Sequence, residues 1–405
     1  MITQELKLGL KENWKQFSLL VIINAFVGAM IGLERSIFPE FAERVFGITS
    51  ATAVLSFIMA FGISKAITNY FTGKLVSHFG RKKLLVSGWI IALPVPFLLI
   101  VAENWAWIVV ANVLLGISQG ITWSSAVIMK IDLVGERQRG LAMGFNEFAG
   151  YFSVGAVAWV SAWIASQYGI RPYPFYLGIG IVIVGLLLSS IWVKDTTRFV
   201  KMEAQKSEQK QHQSIFWATT FHDKDLSSIT QAGLVNNLND GMIWGLLPML
   251  LLQKGFVDTQ VGFLVAVYPT VWGIGQLFIG RLSDLYSKKR MLFWGMFLQG
   301  IAIMILPMDN NFMLIAVLAA VLGLGTALVY PTFLASIAAL SHPEQRAESL
   351  GTFRFWRDMG YAIGALFSGI LTDYFNIQTA IVATGLLTII SAVVIQLHYQ
   401  TQIQL

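Results

Sequence analysis

Long apolar runs alternate with short polar intervals from one end of the chain to the other, and the runs share one length. A helix needs about 20 apolar residues to cross a bilayer core of about 30 Å. Runs of that size fall at 17–39, 50–71, 84–101, 105–128, 140–165, 175–193, 228–252, 257–279, 291–307, 311–337, 350–371 and 379–398. The pattern predicts an all-α membrane protein with twelve transmembrane helices. A transmembrane barrel would show strictly alternating segments of about ten residues, and these are absent. The pattern also repeats. Pro39 matches Pro248 at a spacing of 209, Gly73 matches Gly280 and Gly116 matches Gly323 at 207, and Gly150-Tyr151 matches Gly360-Tyr361 at 210. Four matches in order at nearly constant spacing predict two pseudo-symmetric six-helix bundles, with residues 1–193 in the first, 227–405 in the second and 194–226 as a solvated cytoplasmic linker. Within the linker, SIFWATTF is amphipathic and reads either as a segment lying on the membrane or as an ordinary packed loop.

Composition narrows the class. At 56% hydrophobic and 12% charged residues the chain is too apolar for a soluble protein of 405 residues. Its formal charge of +6 invites a nucleic-acid reading, but 21 of the 28 Lys and Arg fall in intervals on one face. Only Arg44, Arg171 and Lys254 lie opposite, and Arg35, Lys65, Arg354 and Arg357 lie inside predicted spans. That asymmetry is the positive-inside pattern. It places both termini in the cytoplasm, fits the cell's inner (plasma) membrane and needs no nucleic-acid partner. The absence of cysteine excludes disulfides and thiolate metal sites. His78, His212, His222, His342 and His398 sit in intervals or at a helix end, so no metal site is expected. The polar start Met1–Gln16 precedes an apolar run without a small-residue cleavage site, and the first span is expected to be retained.

Two basic stretches carry a family resemblance. Gly73–Lys83 (GKLVSHFGRKK) and Gly280–Arg290 (GRLSDLYSKKR) both read as glycine-bracketed turns at a membrane face. They resemble the loop signature between helices 2 and 3 of the major facilitator superfamily, G-x-L-x-D-R-x-G-R-R/K, and its degenerate copy between helices 8 and 9. Gly73, Gly80, Arg81 and Lys82 carry the match in the first copy, and Gly280, Asp284 and Lys288 in the second. The first copy has Ser77 and His78 where the family usually has Asp and Arg, and the second has Leu285 after Asp284. DLVGERQRG at 132–140 resembles the family's helix 4–5 loop, with Glu344–Arg346 as its echo. The resemblance implies a secondary transporter working by alternating access, in which these loops steady the contact between the halves and its switching. Asn112 stands where proton-coupled drug exporters carry an intramembrane Arg, and NEFAGYFSVG in the fifth span lacks the antiporters' Gly-Pro pattern. FGISKAITNYFTGKL and SQGITW are similar to organophosphate:phosphate antiporters.

Ionisable residues at bilayer depth cost about 2.5–3.5 kcal/mol on insertion scales and normally face a bundle interior or a wet cavity. Here they are Glu34, Arg35, Lys65, Glu147, Asp240, Arg354, Arg357 and Asp358. At about 100° per residue, Asn24 and Arg35 share a face of the first span, with Gly28 between them. Asn236, Asp240 and Trp244, with Asn237 alongside, form a stripe on the seventh. The resemblance implies that these two spans line the central cavity, which makes the stripes the first expected solute contacts; the alternative is hydrogen bonding that only holds the bundle together. Lys65 either snorkels to the headgroups or, with Arg35, forms a cationic patch suited to carboxylate or phosphate. Trp123, Tyr268, Trp272 and Tyr330 enter as rings for stacking on a solute, with packing as the alternative. Glu147 matches Arg357 through the repeat, so opposite charges occupy pseudo-symmetric positions. Glu34, Glu147, Asp240, Arg354, Arg357 and Asp358 form the coupling and gating set, with Asp240, Glu147 and Asp358 as proton carriers.

The function expected from the sequence is therefore a secondary active carrier of a small organic, anionic solute, coupled to protons or working by exchange, and expected as a monomer. A proton-driven exporter of amphipathic compounds is the first alternative, and a transporter-like receptor or scaffold without transport the second. No Walker motif and no nucleophile–base or metal constellation is visible, so neither ATP, another cofactor nor enzymatic chemistry is expected; the energy source is a proton gradient.

Overall fold

Runs of one length and glycines at one spacing produce two helical units. The computed structural model describes residues 7–400 apart from 36, 48–50, 206, 208 and 210; the side chains of Arg35, Pro39 and residues 40, 43, 51–55, 258, 259 and 262 also lie outside the described set. Twelve long helices appear among the described residues: α1 (Trp14–Arg35), α2 (Ala51–Phe79), α3 (Arg81–Val101), α4 (Trp105–Val134), α5 (Arg139–Tyr168), α6 (Tyr173–Ile191), α7 (Lys224–Gln253), α8 (Asp258–Leu285), α9 (Lys288–Ile305), α10 (Phe312–Leu340), α11 (Arg346–Tyr374) and α12 (Ile377–His398). Among the described residues, nine helices are long and apolar enough to cross a membrane by composition alone. Two fully described helices fall short, α7 and α11, and they carry the Asn236–Asp240 string, and Arg354 with Arg357 and Asp358.

The first unit comprises Met1–Gly135 and Asn146–Ser207; the second comprises Glu136–Phe145 and Glu208–Leu405. Within the first, α1 lies so close to α5 that a Cβ on Gly28 would sit 2.1 Å from the Gly150 carbonyl oxygen, and one on Gly32 2.3 Å from that of Val154. Within the second, α7 meets α11 the same way. A Cβ on Gly241 would lie 2.5 Å from Tyr361 O, and one on Gly360 2.3 Å from Leu234 O. The matched pair Gly116 and Gly323 repeats the logic, the former against Phe61 O on α2 and the latter against Tyr268 O on α8. The duplication seen in the sequence is thus a duplication of backbone contacts that only glycine permits.

Three details differ from the sequence reading. The first apolar run does not continue as one helix to residue 39; α1 ends at Arg35 and a short helix, Phe38–Phe46, follows. Pro39 lacks the N–H that would bond the Arg35 carbonyl, so the chain restarts with Pro39 in the first turn of the next helix. The basic signatures are mostly helix rather than turn. α2 runs to Phe79 and turns at Gly80 alone, whose φ of +83° suits glycine, whereas α8 runs to Leu285 and α9 resumes at Lys288.

The linker is not simply solvated either. Thr196 is buried, and its hydroxyl donates to Asp132 Oδ2 at 2.7 Å, alongside Arg81 Nε at 3.2 Å. Partial burial alone would raise the neighbouring Asp195 carboxyl. Hydrogen bonds from the Thr197 hydroxyl and from the Lys82 and Thr197 N–H groups, with the Arg81 charge, outweigh burial and hold it below the ordinary carboxylate range. Further on, Ala218 and Thr219 of the SIFWATTF segment are buried, and Thr220 accepts from Trp356 Nε1 at 3.1 Å, while Trp217 and Phe221 stay exposed.

The glycine contacts give a direct test. Gly28→Ala forces α1 off α5 and should cost about 1–3 kcal/mol, read as a lowered thermal midpoint in detergent. Gly62→Ala in α2, where nothing among the described residues lies within 4 Å of the added carbon, should leave the midpoint unchanged or raise it.

Candidate functional site

In the first unit the polar groups gather where α1, α2, α4 and α5 meet. Asn24 on α1 donates to the Asn146 carbonyl at 2.8 Å, and Asn146 donates its amide to Glu147 Oε1 at 2.7 Å. Gly150 makes room for this cluster, since a Cβ there would lie 2.6 Å from the Trp123 ring and 3.0 Å from the Asn24 amide. Trp123 packs against Tyr151 with ring centroids 5.7 Å apart. The Lys65 ammonium lies 5.2 Å from the Trp123 ring and 5.6 Å from the Phe61 ring. Such cation–π contacts are worth about 0.5–2 kcal/mol, more when desolvated. Lys65 is therefore drawn inward to rings rather than outward to headgroups.

Glu34, near the end of α1, is buried and hydrogen-bonds to the Asn112 side chain on α4. With Ile31, Phe57, Ile58, Phe61 and Leu115 these two line a cavity of about 20 Å³, room for one water. Asn112, singled out in the sequence for not being arginine, is thus the partner of a buried carboxyl. Glu34 Oε1 and Glu147 Oε2 have no hydrogen-bond partner among the described residues. The Arg35 side chain lies outside the described residues.

In the second unit the stripe on α7 meets α8, α10 and α11. Asp240 is fully buried; Oδ1 accepts from the Tyr268 hydroxyl and Oδ2 from the Tyr361 hydroxyl at 3.2 Å. The Tyr330 hydroxyl lies 3.4 Å from Asn237 Oδ1, and Asn236 donates to that oxygen at 3.2 Å. Trp272 lies between the tyrosines, its ring 6.0 Å from Tyr268 and 4.9 Å from Tyr330. Trp244 is exposed and 6.3 Å from Tyr268. The Arg357 guanidinium sits 5.2 Å from the Tyr330 ring, with its Nε 3.1 Å from Asp358 Oδ1. Arg354 is buried on the same helix.

The signature residues divide. Asp284 accepts from the N–H groups of Gly140 and Leu141 at 2.7 and 2.8 Å, holding the start of α5, where the helix dipole favours a carboxylate. Ser77, at the matching place in the first copy, donates to the Lys74 carbonyl of its own helix instead. Arg139 and its repeat partner Arg346 both donate to the Ala338 carbonyl, each at 3.2 Å.

Sequence reasoning missed several buried groups. Tyr361 was visible as a repeat match, yet nothing in the sequence marks a tyrosine as a carboxylate's partner. Lys130 is fully buried and donates to the Leu20 carbonyl at 3.1 Å; it lies just past residue 128, where the fourth run was ended. Asn239 accepts from Thr388 at 2.7 Å and donates to Gln299 at 3.2 Å, joining α7, α9 and α12.

Residues 18–228 and 229–401 each match the family model of the Major Facilitator Superfamily. The chain is 25% identical over 385 residues to a Staphylococcus haemolyticus protein named proton-coupled antiporter flippase LtaA, covering 91% of this chain and 89% of that protein. It is 25% identical over 390 residues to the protein of the same name from Staphylococcus aureus strain MSSA476, covering 92% of each. Among solved structures, the human organic anion transporter MFSD10 (TETRAN) superposes with a TM-score of 0.76 at 14% identity, covering 94% of this chain and 99% of that one. At that identity the likeness carries the fold alone.

The Asn239 trio should behave as stitching. Thr388→Val removes one donor from a buried amide and should cost about 1 kcal/mol, lowering the thermal midpoint in detergent while the pH dependence of transport stays as in the parent protein.

Proposed function

The chain belongs to the major facilitator superfamily, and on that premise we propose that it is a proton-coupled secondary carrier in which Asp240 takes up and releases the coupling proton. Family membership makes it a multi-pass membrane transporter and not an enzyme. The observation that carries the proton reading is Asp240 itself, a fully buried carboxyl within α7, held by two tyrosine hydroxyls and acted on by the Arg357 charge. Intramembrane carboxyls of this kind are functional by default because their cost has to be offset. The name of the staphylococcal relatives, proton-coupled antiporter flippase, supports the same coupling.

Lys65, caged by Trp123 and Phe61, supplies a cation and flat apolar surface together. That pairing suits an organic solute with a negative or strongly polar end. Asn24, Arg35, Asn236, Asn237, Trp244, Tyr268, Trp272 and Tyr330 stand as further proposed contacts. Glu34 and Glu147, each with an oxygen lacking a hydrogen-bond partner among the described residues, are the alternative proton carriers. A second reading, an amphipathic lipid-like solute moved between leaflets, is favoured by the word flippase in the relatives' name. Under either reading the carrier works by alternating access, and the proton must bind its two orientations unequally for the gradient to drive anything. The basic intervals support a plasma-membrane location with both termini cytoplasmic.

The test is flux in proteoliposomes of the full chain, using a panel of organic anions, organic cations and fluorescent lipids, with and without an imposed pH gradient. One class should move faster with the gradient. Asp240→Asn should abolish that acceleration, and Lys65→Gln should raise the concentration for half-maximal flux about tenfold, the worth of one charge-assisted hydrogen bond. Gradient-driven flux that survives in Asp240→Asn, or a strict sodium requirement without a pH response, would overturn the proposal.

A further inference from the structure

Asp240, Tyr268 and Thr326 form a chain of three oxygen groups ending on a backbone carbonyl. Tyr268 donates to Asp240 Oδ1, the Tyr268 and Thr326 oxygens are 3.4 Å apart, and Thr326 donates to the Leu322 carbonyl at 3.0 Å. All three side chains are fully buried or nearly so. Counting hydrogens explains the middle distance. The Tyr268 hydrogen is committed to the carboxylate and the Thr326 hydrogen to the carbonyl, so none lies between the two hydroxyl oxygens. Their separation exceeds the roughly 2.5–3.0 Å of a made O–H···O bond.

We infer that Tyr268 and Thr326 are a reversible hydrogen-bond relay that lets Asp240 exist either charged or protonated without stranding a buried polar atom. This rests on the reading of Asp240 as the proton carrier. When the carboxylate takes a proton on Oδ1, the new O–H donates to the Tyr268 oxygen. The Tyr268 hydrogen rotates to donate to Thr326 Oγ1, and Thr326 goes on donating to Leu322. One O–H bond forms on the carboxyl, two hydroxyl hydrogens keep their own oxygens, and the empty middle gap closes. Tyr361 donates to Oδ2 in both states, because the carbonyl oxygen of the acid remains an acceptor. Without Thr326 the protonated form would leave the Tyr268 hydroxyl without an acceptor. The other titratable and charged groups acting on the site are Tyr330 from α10, and Arg357, paired with Asp358, from α11. Tyr268 and Thr326 are positioning residues here: they act on the proton only through Asp240.

The relay predicts opposite effects from its two members. Thr326→Val removes an acceptor used only in the protonated state, so proton binding weakens. Tyr268→Phe removes a charge-assisted bond to the carboxylate and a weaker bond to the acid, so proton binding strengthens. The measurement is infrared titration of the full chain in lipid, following the carbonyl band of a protonated carboxylic acid that disappears in Asp240→Asn; the only probe is the proton. The band's midpoint should fall by about one pH unit in Thr326→Val, stay at the parent value in Thr326→Ser, and rise by about one unit in Tyr268→Phe. If Thr326→Val does not fold, Thr326→Ala reads the same loss. An unchanged midpoint in the folded Thr326 variants, or shifts of the same sign in Thr326→Val and Tyr268→Phe, would overturn the relay while leaving Asp240 as carrier. If no titrating band disappears in Asp240→Asn, the reading of Asp240 itself is overturned instead.

Discussion

Inside a bilayer a polar side chain has no water to fall back on, and every partner must come from the protein itself. That constraint organises this molecule. A buried donor or acceptor left unmet costs about 1–3 kcal/mol, and a charge costs more, so each polar residue inside a span dictates what packs against it. Lys130 draws in the Leu20 carbonyl, Asn239 draws in Gln299 and Thr388, and Asp240 draws in two tyrosines. The same constraint explains how α7 and α11 are long helices without a window apolar enough to pass as a span. Asp240 and Asn239 find partners within the second unit, and the close approach at Gly241, Gly360 and Gly364 lets the two helices lie backbone against backbone.

Networks differ in whether they can change state. Thr388 donates to Asn239, with the Thr384 carbonyl a second acceptor at 2.8 Å, and Asn239 donates to Gln299; no member titrates, so no change of charge can rearrange the trio and it can only rigidify. Asp240 differs because it can gain a proton and because the oxygen beyond its partner is 3.4 Å off, close enough to accept once a hydrogen turns toward it. Glu34 and Glu147 differ again, each with an oxygen lacking a partner among the described residues. The closed trio is stitching, whereas the open sites are where a change of charge has somewhere to go.

The twelve spans and their duplication were legible in the sequence because both depend on the coarsest signals, run length and glycine spacing. The polar stripe on α7 was legible too, since Asn236, Asp240 and Trp244 are four residues apart. What was not legible depended on neighbours remote in the chain. Nothing near Tyr361 says that its hydroxyl reaches Asp240, and a tyrosine in an apolar helix reads as packing. Lys130 was hidden by a boundary, since α4 extends to Val134 and encloses a lysine that looked like interval. The helix break after Arg35 was written in Pro39, but a proline at a run's end reads equally well as its terminus.

The duplication also sets two different groups of atoms on one arrangement of helices. Phe61, Lys65 and Trp123 match Tyr268, Trp272 and Tyr330 at the single spacing of 207. In the first unit the middle residue is an ammonium 5.6 and 5.2 Å from its flanking rings; in the second it is an indole 6.0 and 4.9 Å from them. The arrangement is kept and the atoms are exchanged. Where the first copy has Phe and Trp, the second has two phenols; the Tyr268 hydroxyl donates to Asp240, and that of Tyr330 lies 3.4 Å from Asn237 Oδ1. A lysine between rings offers a fixed positive charge to a solute, whereas a carboxyl bonded to a phenol offers a place for a proton. The proposed division of labour, solute head at Lys65 and proton at Asp240, follows from that exchange: the first copy holds an ammonium where the second holds an indole, and the second holds the phenol that the carboxyl needs as a partner.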